Sequence, residues 1–304
     1  MRLSTAFFIT ALVLSLIVLT ACDTDEQIQA TSAPLPTETA AAEPTPRETA
    51  VMPSGDLPLT SSVEGLDLVF SGGGAKGIAH IGALMELEKR GVPYRRVVGT
   101  SSGSIMALML ASGYSADEMV AAITERTPTR QIIMADFLDT PQSFPEEVVR
   151  NSFLYSLVDT ALLSPLPEQI GGQAREHFVE ELVASPVVRE LFSFTEFGGV
   201  YAGVVFLEWL SEKLDQDGRK LSQLSLAEFE QETGNDLTAI VTDITDQRML
   251  VVNHRTAPDL PVTMLIRMSM SIPLVYNNVV WQPEWGSYLG EDISGHEIVD
   301  GGIG

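Results

Sequence analysis

The segment LDLVFSGGGAKG, residues 66–77, is the stretch of sequence that decides the fold. Its apolar start, residues 66–70, predicts a short buried strand, and a loop with three consecutive glycines follows directly. Apolar residues at helical spacing come next and predict a helix that ends near Gly91 and Pro93. A strand, a glycine loop and a helix in this order are typical of an α/β protein.

A second unit of the same kind comes next. Residues 96–99 predict a strand that leads into the tight turn TSSG, and the following helix, residues 104–112, is apolar nearly all round. A helix without a polar face is expected to be buried. The two units predict a mostly parallel central sheet with helices on both of its faces.

The first glycine loop fits the dinucleotide-binding pattern G-x-G-x-x-G through Gly72, Gly74 and Gly77. Such a site also needs an acidic residue at the end of the second strand to hold a ribose, and no acid stands there. A Walker A phosphate loop is excluded as well, because Lys76 is followed by glycine instead of serine or threonine. We therefore expect no nucleotide cofactor.

The second turn matches G-x-S-x-G, the nucleophile elbow, between Gly99 and Gly103. Glycine is needed at both ends because a Cβ there would collide with the neighbouring strand or helix. The turn lifts the Ser101 hydroxyl above the sheet at the start of a helix, where amide groups favour negative charge. We therefore predict that Ser101 is a nucleophile and that the amides of residues 72–74 form its oxyanion hole.

A serine nucleophile needs a base, which is usually a histidine held by a carboxylate. The α/β-hydrolase order is serine, acid and then histidine, but the last histidine of this chain precedes Asp300. We interpret all four histidines as solvated or core-capping side chains: His80, His177, His254 and His296.

The block Asp300-Gly301-Gly302 completes a different pattern. Together with SGGGAKG at residues 71–77 and GTSSG at residues 99–103, it makes the sequence resemble the patatin-like phospholipases. The stretches at residues 240–245 and 268–276 look like an interior strand of that family and its serine-rich, proline-containing loop near the site. The resemblance covers residues 65–304.

The resemblance implies a three-layer α/β/α patatin-like fold and a Ser-Asp dyad in which Asp300 takes the proton from Ser101 without a histidine. It implies hydrolysis of phospholipid or lysophospholipid acyl esters, an oxyanion hole made by the amides of Gly72, Gly73 and Gly74, and no metal or other cofactor. The remaining motif residues support these groups: Lys76, Gly77, Gly99, Gly103, Gly301 and Gly302. Members of the family generally continue beyond this point with more sheet and helix, so we expect a domain truncated at its C-terminus.

Two alternative functions stay open at the level of the sequence. One is a thioesterase or small-ester esterase that uses the same dyad. The other is a catalytically silent lipoprotein that binds lipid or a protein partner.

The N-terminal residues are typical of an exported protein. Arg2 precedes an uncharged apolar run that ends at Leu19 and is shorter than a membrane-spanning helix. The run leads into Leu-Thr-Ala-Cys, which resembles the bacterial lipobox, and Cys22 is the only cysteine of the chain. We expect a signal peptide over residues 1–21 and lipidation of Cys22; an ordinary signal peptide with an incidental cysteine is the alternative.

Residues 22–64 are rich in Thr, Ala, Pro and Glu and predict a disordered tether between the lipid anchor and the acyl hydrolase domain, residues 65–304. The chain has 41 acidic and 18 basic side chains and a net charge of −23, which argues against a nucleic-acid partner. Together these features predict a membrane-anchored lipoprotein of the bacterial cell envelope with an acyl lipid substrate.

Apolar clusters are concentrated between residues 125 and 203. We interpret them as core for helices packed beside the sheet; a mobile cap or acyl-chain surface over Ser101 is the alternative. The large residues are Phe137, Phe144, Phe153, Leu154, Tyr155, Leu157, Phe192, Phe194 and Phe197.

Overall fold

A computed structural model describes residues 65–128 and 130–303. The signal peptide predicted over residues 1–21, the lipidated Cys22 and the tether predicted over residues 22–64 lie outside the described residues. Within them, no helix combines the length and the apolar character needed to cross a membrane.

Strands and helices alternate at the start of the domain, and helices dominate its middle. The strands are β1 (Leu66–Phe70), β2 (Tyr94–Thr100), β3 (Gly199–Tyr201), β4 (Asp236–Asp243), β5 (Arg248–Asn253), β6 (Leu274–Tyr276), β7 (Val279–Val280) and β8 (Glu297–Asp300). The helices are α1 (Ile78–Lys89), α2 (Ser102–Ala111), α3 (Ala116–Ile123), α4 (Ile133–Asp136), α5 (Glu146–Arg150), α6 (Phe153–Val158), α7 (Glu168–Ala184), α8 (Pro186–Phe197), α9 (Val204–Leu214), α10 (Leu226–Thr233) and α11 (Val262–Ser269).

The main sheet is built around β4. β1 pairs with β2 and β2 with β4 in parallel, as predicted, whereas β5 and β8 pair with β4 and β7 pairs with β8 in antiparallel orientation. The predicted α/β fold is present, but the sheet is mixed and not mostly parallel. The physical reason is that only the first units return through a helical crossover, whereas β4 and β5 are joined by a tight turn. The short strands β3 and β6 form a separate parallel pair.

One face of the main sheet is packed against helices. α2 and α11 contact each other and both contact β4, so they lie on the same face. The β4 residues that point to this face are fully buried: Leu237, Ala239 and Val241. On the opposite face Val69 of β1 and Met249 of β5 are 73% and 56% exposed. Within the described residues, the predicted helical cover is therefore extensive on one face and partial on the other.

The helices of residues 146–197 form a helical lobe with a small core of its own. This core consists of Phe144, Val149, Leu154, Val179 and Phe192. The core interpretation of the apolar clusters is therefore confirmed for Phe144, Leu154 and Phe192. Phe153 and Leu157 point outward and are exposed, and Phe137 joins the main core instead.

Candidate active site

Two strands meet end to end along one edge of β4. β2 occupies the first part of this edge, with Thr100 opposite Ile240, and β8 occupies the next part, with Asp300 opposite Val241. Because β2 runs parallel to β4 and β8 runs antiparallel to it, the C-terminal ends of β2 and β8 point at each other. Ser101, the residue after β2, therefore lies beside the last residue of β8.

Ser101 occupies a strained turn between β2 and α2. Its φ of 53° and ψ of −130° are rare for a residue other than glycine. A Cβ on Gly99 would lie 2.4 Å from the Ser104 Cα, and a Cβ on Gly103 would lie 2.2 Å from the Phe70 carbonyl oxygen. Strand, turn and helix are thus too close for a side chain at either glycine, which is the collision expected from the sequence.

The glycine loop between β1 and α1 passes against the nucleophile. A Cβ on Gly72 would lie 3.1 Å from the Ser101 Cβ. Gly73 and Gly74 have φ angles of 154° and 55°, which favour glycine. The amides of residues 72–74 donate no hydrogen bond to any other described residue. Their N–H groups are therefore available to an oxygen atom held near Ser101.

The end of this loop fixes its distance from α2. A Cβ on Gly77 would lie 2.9 Å from the Ser102 Cβ, so a larger residue would push the loop away from the elbow. The Lys76 amide donates to the Gly73 carbonyl at 3.2 Å and closes the turn, while the Lys76 side chain is exposed. Both motif residues therefore shape the loop through its backbone.

Asp300 is buried at the end of β8. Its Oδ1 accepts the Gly302 amide at 2.6 Å, whereas its buried Oδ2 has no partner of ordinary hydrogen-bond geometry among the described residues. Burial raises the pKa of the Asp300 carboxyl, and the Ser101 hydroxyl and the Gly302 amide oppose this rise because they stabilise the anion. A Cβ on Gly301 would lie 2.4 Å from the Ile240 carbonyl oxygen, so this glycine lets β8 close on β4.

The end of α11 holds both members of the predicted dyad. The Ser101 amide donates to the Ser269 hydroxyl at 3.0 Å, and this hydroxyl donates to the Ile240 carbonyl at 2.8 Å. The Ser271 carbonyl accepts the Asp300 amide at 2.9 Å. The resemblance placed this serine-rich stretch near the site, but neither serine was assigned a role.

Arg267 anchors this turn and was missed by the sequence analysis. It is only 3% exposed, and its guanidinium donates to the Ala202 carbonyl at 2.8 Å and to the Ser271 hydroxyl. It also lies over the Tyr276 ring, 5.5 Å from its centroid. Burial lowers the pKa of Arg267 to about 10, so it stays protonated at neutral pH. The one signal for it is a lone arginine inside the apolar run of residues 262–270.

Each of the four histidines has a partner other than Ser101. His80 contacts the Ser71 carbonyl, and the other three pair with carboxylates: His177 with Glu180, His254 with Asp236 and His296 with Asp243. These contacts agree with the interpretation of the histidines as surface or structural side chains.

A polar cluster lies at the other end of β8. Ligand atoms of Asp243, Asp246 and His296 lie within 4.8 Å of one another, which is close enough to surround a metal ion. The Arg248 guanidinium already supplies a positive charge there, 3.5 Å from an oxygen of Asp243 and 3.5 Å from one of Asp246. The cluster is therefore an ion-pair network that ties the β4–β5 turn to the start of β8. The absence of a metal cofactor stays a prediction.

Residues 68–304 match the patatin-like phospholipase family. The chain belongs to this family. The patatin-like fold predicted from the three motif blocks is thereby confirmed. The uncharacterised Bacillus subtilis protein YqhO is 27% identical over 245 residues, which are 78% of this chain and 63% of YqhO. The lysophospholipase NTE1 of Debaryomyces hansenii is 44% identical over 54 residues, 18% of this chain and 4% of that protein.

Two solved structures are similar to the chain at lower sequence identity. VipD from Legionella pneumophila is 18% identical to this chain. The similarity covers 79% of this chain and 46% of VipD, with a TM-score of 0.39. ExoU from Pseudomonas aeruginosa, in its complex with SpcU, is 18% identical with a TM-score of 0.35, covering 69% of this chain and 38% of ExoU. The chain therefore spans less than two thirds of the length of each of these relatives.

Proposed function

We propose that the patatin-like domain is a serine acyl hydrolase that cleaves phospholipid or lysophospholipid acyl esters. The observation that carries the proposal is the meeting of Ser101 and Asp300 along one edge of β4, next to glycine amides that donate to no other residue the structure describes. A nucleophile, a proton acceptor and an oxyanion-binding loop are the three groups that acyl transfer needs.

In the first step, the Ser101 Oγ attacks the ester carbonyl carbon while the Asp300 carboxylate takes the hydroxyl proton. The carbonyl electron pair moves onto oxygen, and the amides of residues 72–74 donate hydrogen bonds to the resulting oxyanion. When the oxyanion collapses, the bond to the alkoxy oxygen breaks and the proton on Asp300 passes to the leaving alcohol. The acyl group is then bound to Ser101.

In the second step, water attacks the acyl-serine carbon and gives a proton to Asp300. Collapse of this intermediate releases the fatty acid, and the proton returns to the Ser101 oxygen. A carboxylate with an ordinary pKa of about 4 is a weak base toward a hydroxyl group. The burial that raises the pKa of Asp300 therefore supports the proposed role.

The test is reaction of the protein lacking residues 1–22 with a fluorophosphonate probe, together with fatty-acid release from micellar phospholipid. Ser101→Ala and Asp300→Asn are expected to abolish release, and their losses are expected to be strongly non-additive because the two residues act as a unit. Folded glutamine variants of His80, His177, His254 and His296 are expected to keep activity within about tenfold of wild type. An active Asp300→Asn variant, or a folded but inactive histidine variant, would disprove the dyad.

The same experiment separates the rival functions. Hydrolysis of thioesters or short esters in preference to long-chain phospholipid would indicate a thioesterase or small-ester esterase on the same dyad. A wild-type protein that does not react with the fluorophosphonate probe would indicate a lipoprotein that only binds lipid or a partner.

We propose further that Cys22 carries a lipid anchor that holds the domain at the bacterial cell envelope. The lone cysteine after Leu19, Thr20 and Ala21 supports this proposal. Cys22→Ser is expected to abolish incorporation of labelled palmitate and processing after Ala21. Unchanged labelling of that variant would disprove the anchor and leave the proposed hydrolase activity untouched.

A further inference from the structure

The glycine loop that carries the proposed oxyanion-binding amides is tied to a histidine of the helix that follows it. His80, in the first turn of α1, places its Nε2 3.0 Å from the Ser71 carbonyl oxygen and 3.5 Å from the Ser71 hydroxyl. Its ring also packs nearly perpendicular to the ring of buried Phe70, with the two centroids 5.5 Å apart. His80 therefore contacts both the last residue of β1 and the first residue of the loop.

The contact with the carbonyl decides which ring nitrogen of His80 carries a proton. A carbonyl oxygen can only accept a hydrogen bond, so the His80 Nε2 must be the donor. The same oxygen also lies close to the start of α2, because a Cβ on Gly103 would lie 2.7 Å from it. The Ser71 carbonyl is thus restrained by the His80 ring and by the backbone of α2.

A restrained Ser71 carbonyl also restrains the first amide of the glycine loop. Within the described residues no peptide bond is cis, and in a planar trans peptide the C=O and the N–H point in opposite directions. The hydrogen bond from His80 therefore sets the direction of the Gly72 N–H. Gly72 is also a loop residue that adjoins the nucleophile, since a Cβ there would lie 3.1 Å from the Ser101 Cβ.

We infer that His80 is a positioning residue for the oxyanion hole, which orients the Gly72 amide through the Ser71 carbonyl. The inference rests on the proposed acyl hydrolase function. Three consecutive glycines allow many backbone conformations, so without an external tie the first peptide of the loop can turn its amide away from the substrate. His80 keeps its Nε2 proton throughout the reaction, and this role therefore leaves Asp300 as the base.

His80→Phe tests the hydrogen bond, because phenylalanine keeps a ring beside Phe70 and lacks the donor. On micellar phospholipid the full chain with this substitution is expected to lose about tenfold to thirtyfold in kcat, with KM within about twofold of wild type. Outright loss of one oxyanion donor lowers kcat about 10²–10³-fold, and an amide that is turned away only part of the time costs less.

His80→Gln is the rescue variant. The glutamine Nε2 is as many bonds from the Cβ as the histidine Nε2 and can donate to the same carbonyl, so kcat is expected to stay within about threefold of wild type. Equal losses of kcat in His80→Phe and His80→Gln would overturn the positioning role. A lower melting temperature of His80→Phe with unchanged kcat would overturn it as well, because His80 would then support folding only.

Two further variants complete the comparison. His177→Phe is the matched control, because His177 pairs with Glu180 in the helical lobe, and its kcat is expected to stay within about twofold of wild type. If His80→Phe does not fold, His80→Leu repeats the test, since leucine also lacks a donor and favours a helix.

A trifluoromethyl ketone analogue of the lipid supplies a readout that does not need turnover. The Ser101 Oγ adds to the ketone carbon, the hydroxyl proton passes to Asp300, and the ketone oxygen becomes the oxyanion. His80→Phe is expected to raise the inhibition constant of this analogue about tenfold, while an ether lipid without a carbonyl group binds within about twofold of wild type. Equal weakening of both ligands would overturn the inference, because the variant would then disturb lipid binding in general.

The ¹⁵N chemical shifts of the His80 ring test the hydrogen bond independently of activity. The neutral ring is expected to carry its proton on Nε2, and a proton on Nδ1 would overturn the inference. A His80→Phe variant with wild-type kinetics would overturn the positioning role and leave the hydrolase proposal intact. A wild type that neither hydrolyses phospholipid nor reacts with a fluorophosphonate would instead refute the proposed function, and the role of His80 with it.

Discussion

At the scale of single residues, Ser101 combines chemistry with backbone strain. Its φ of 53° and ψ of −130° cost about 1–3 kcal/mol in a residue with a Cβ. Glycine relieves this strain but adds about 0.5–1 kcal/mol of unfolded-chain entropy. We therefore expect Ser101→Gly to have a free energy of unfolding about 1 kcal/mol higher than Ser101→Ala, with both variants inactive. Urea denaturation checks this, and equal or lower stability of the glycine variant would contradict the strain.

Asp300 links activity and stability to pH. The carboxyl must be ionised to take a proton, and burial raises its pKa. We therefore expect kcat/KM to fall as the pH decreases through a value above the ordinary Asp value of about 4. An acid limb at or below that value would show that Asp300 is not the titrating base.

The same raised pKa means that the folded state binds this proton more tightly than the unfolded state does. Wild-type stability therefore gains from this group as the pH falls toward its unfolded pKa, and the Asp300→Asn variant lacks this gain. We expect the variant to be at least as stable as wild type at neutral pH and to lose that advantage in acid. Denaturation at both pH values measures the difference.

The residues that were predictable from sequence are those whose backbone requirements are visible locally. Gly99, Ser101 and Gly103 form one contiguous turn, so their roles can be inferred from five residues. Ser269 could not be found in this way, because its hydrogen bond to Ser101 joins residues 168 positions apart. Serine and arginine are also common residue types, so Ser269 and Arg267 form no recognisable pattern.

At the scale of elements, the end of α11 positions the dyad through Arg267. Lysine has a single ammonium group and cannot replace a planar guanidinium that donates in several directions. We expect Arg267→Lys to lower kcat about tenfold with little change in KM and to slow fluorophosphonate labelling of Ser101. Arg255→Lys is the control, because Arg255 is exposed and pairs with Asp236 at the start of β4. A lower melting temperature with unchanged kcat would mean that Arg267 supports folding only.

The start of β8 is held by the pair of His296 and Asp243, whose nitrogen and oxygen lie 2.9 Å apart. The hydrogen bond to Asp243 raises the pKa of His296, with Asp246 adding to the rise and Arg248 opposing it. Burial alone would raise the pKa of Asp243, but the hydrogen bond from His296 and nearby amides lower it overall. Between about pH 4 and 6.5 both groups are therefore charged, and the pair makes its full contribution to the free energy of unfolding.

The stabilisation by this pair is lost as the pH rises through the raised pKa of His296. We expect His296→Gln to cost more stability near pH 6 than near pH 9, as measured by the free energy of unfolding. A cost that does not depend on pH would mean that the charge of His296 contributes nothing.

The order of strands and helices at the start of the domain could be predicted from the sequence, whereas the direction of the later strands could not. The first two strands and their loops follow from local apolar runs and glycines, and the structure places them as expected. The antiparallel arrival of β8 was not predictable, because the irregular chain of residues 281–296 carries no periodic pattern that fixes its path. That arrival determines the site, since a parallel β8 would carry its last residue away from Ser101.

At the scale of the whole molecule, the domain has a large core around the sheet and a small one in the helical lobe. Phe192 is fully buried in the small core, and Phe206 is fully buried in the large one. Replacing either by alanine removes the same group and costs about 3–5 kcal/mol. The two variants should nevertheless unfold differently, because a small core supports only the helices that surround it.

We expect Phe192→Ala to speed amide hydrogen exchange within residues 146–197 while the strands of the main sheet keep their protection. Phe206→Ala is expected to lower protection throughout the domain, because its ring packs against Phe137 and lies beside the helices that cover the sheet. Mass spectrometry of exchanged peptides distinguishes the two patterns. Equal loss of protection in the sheet for both variants would mean that the helical lobe and the sheet unfold as one cooperative unit. In that case the lobe could not open locally, and a cap that moves independently over Ser101 would be ruled out as well.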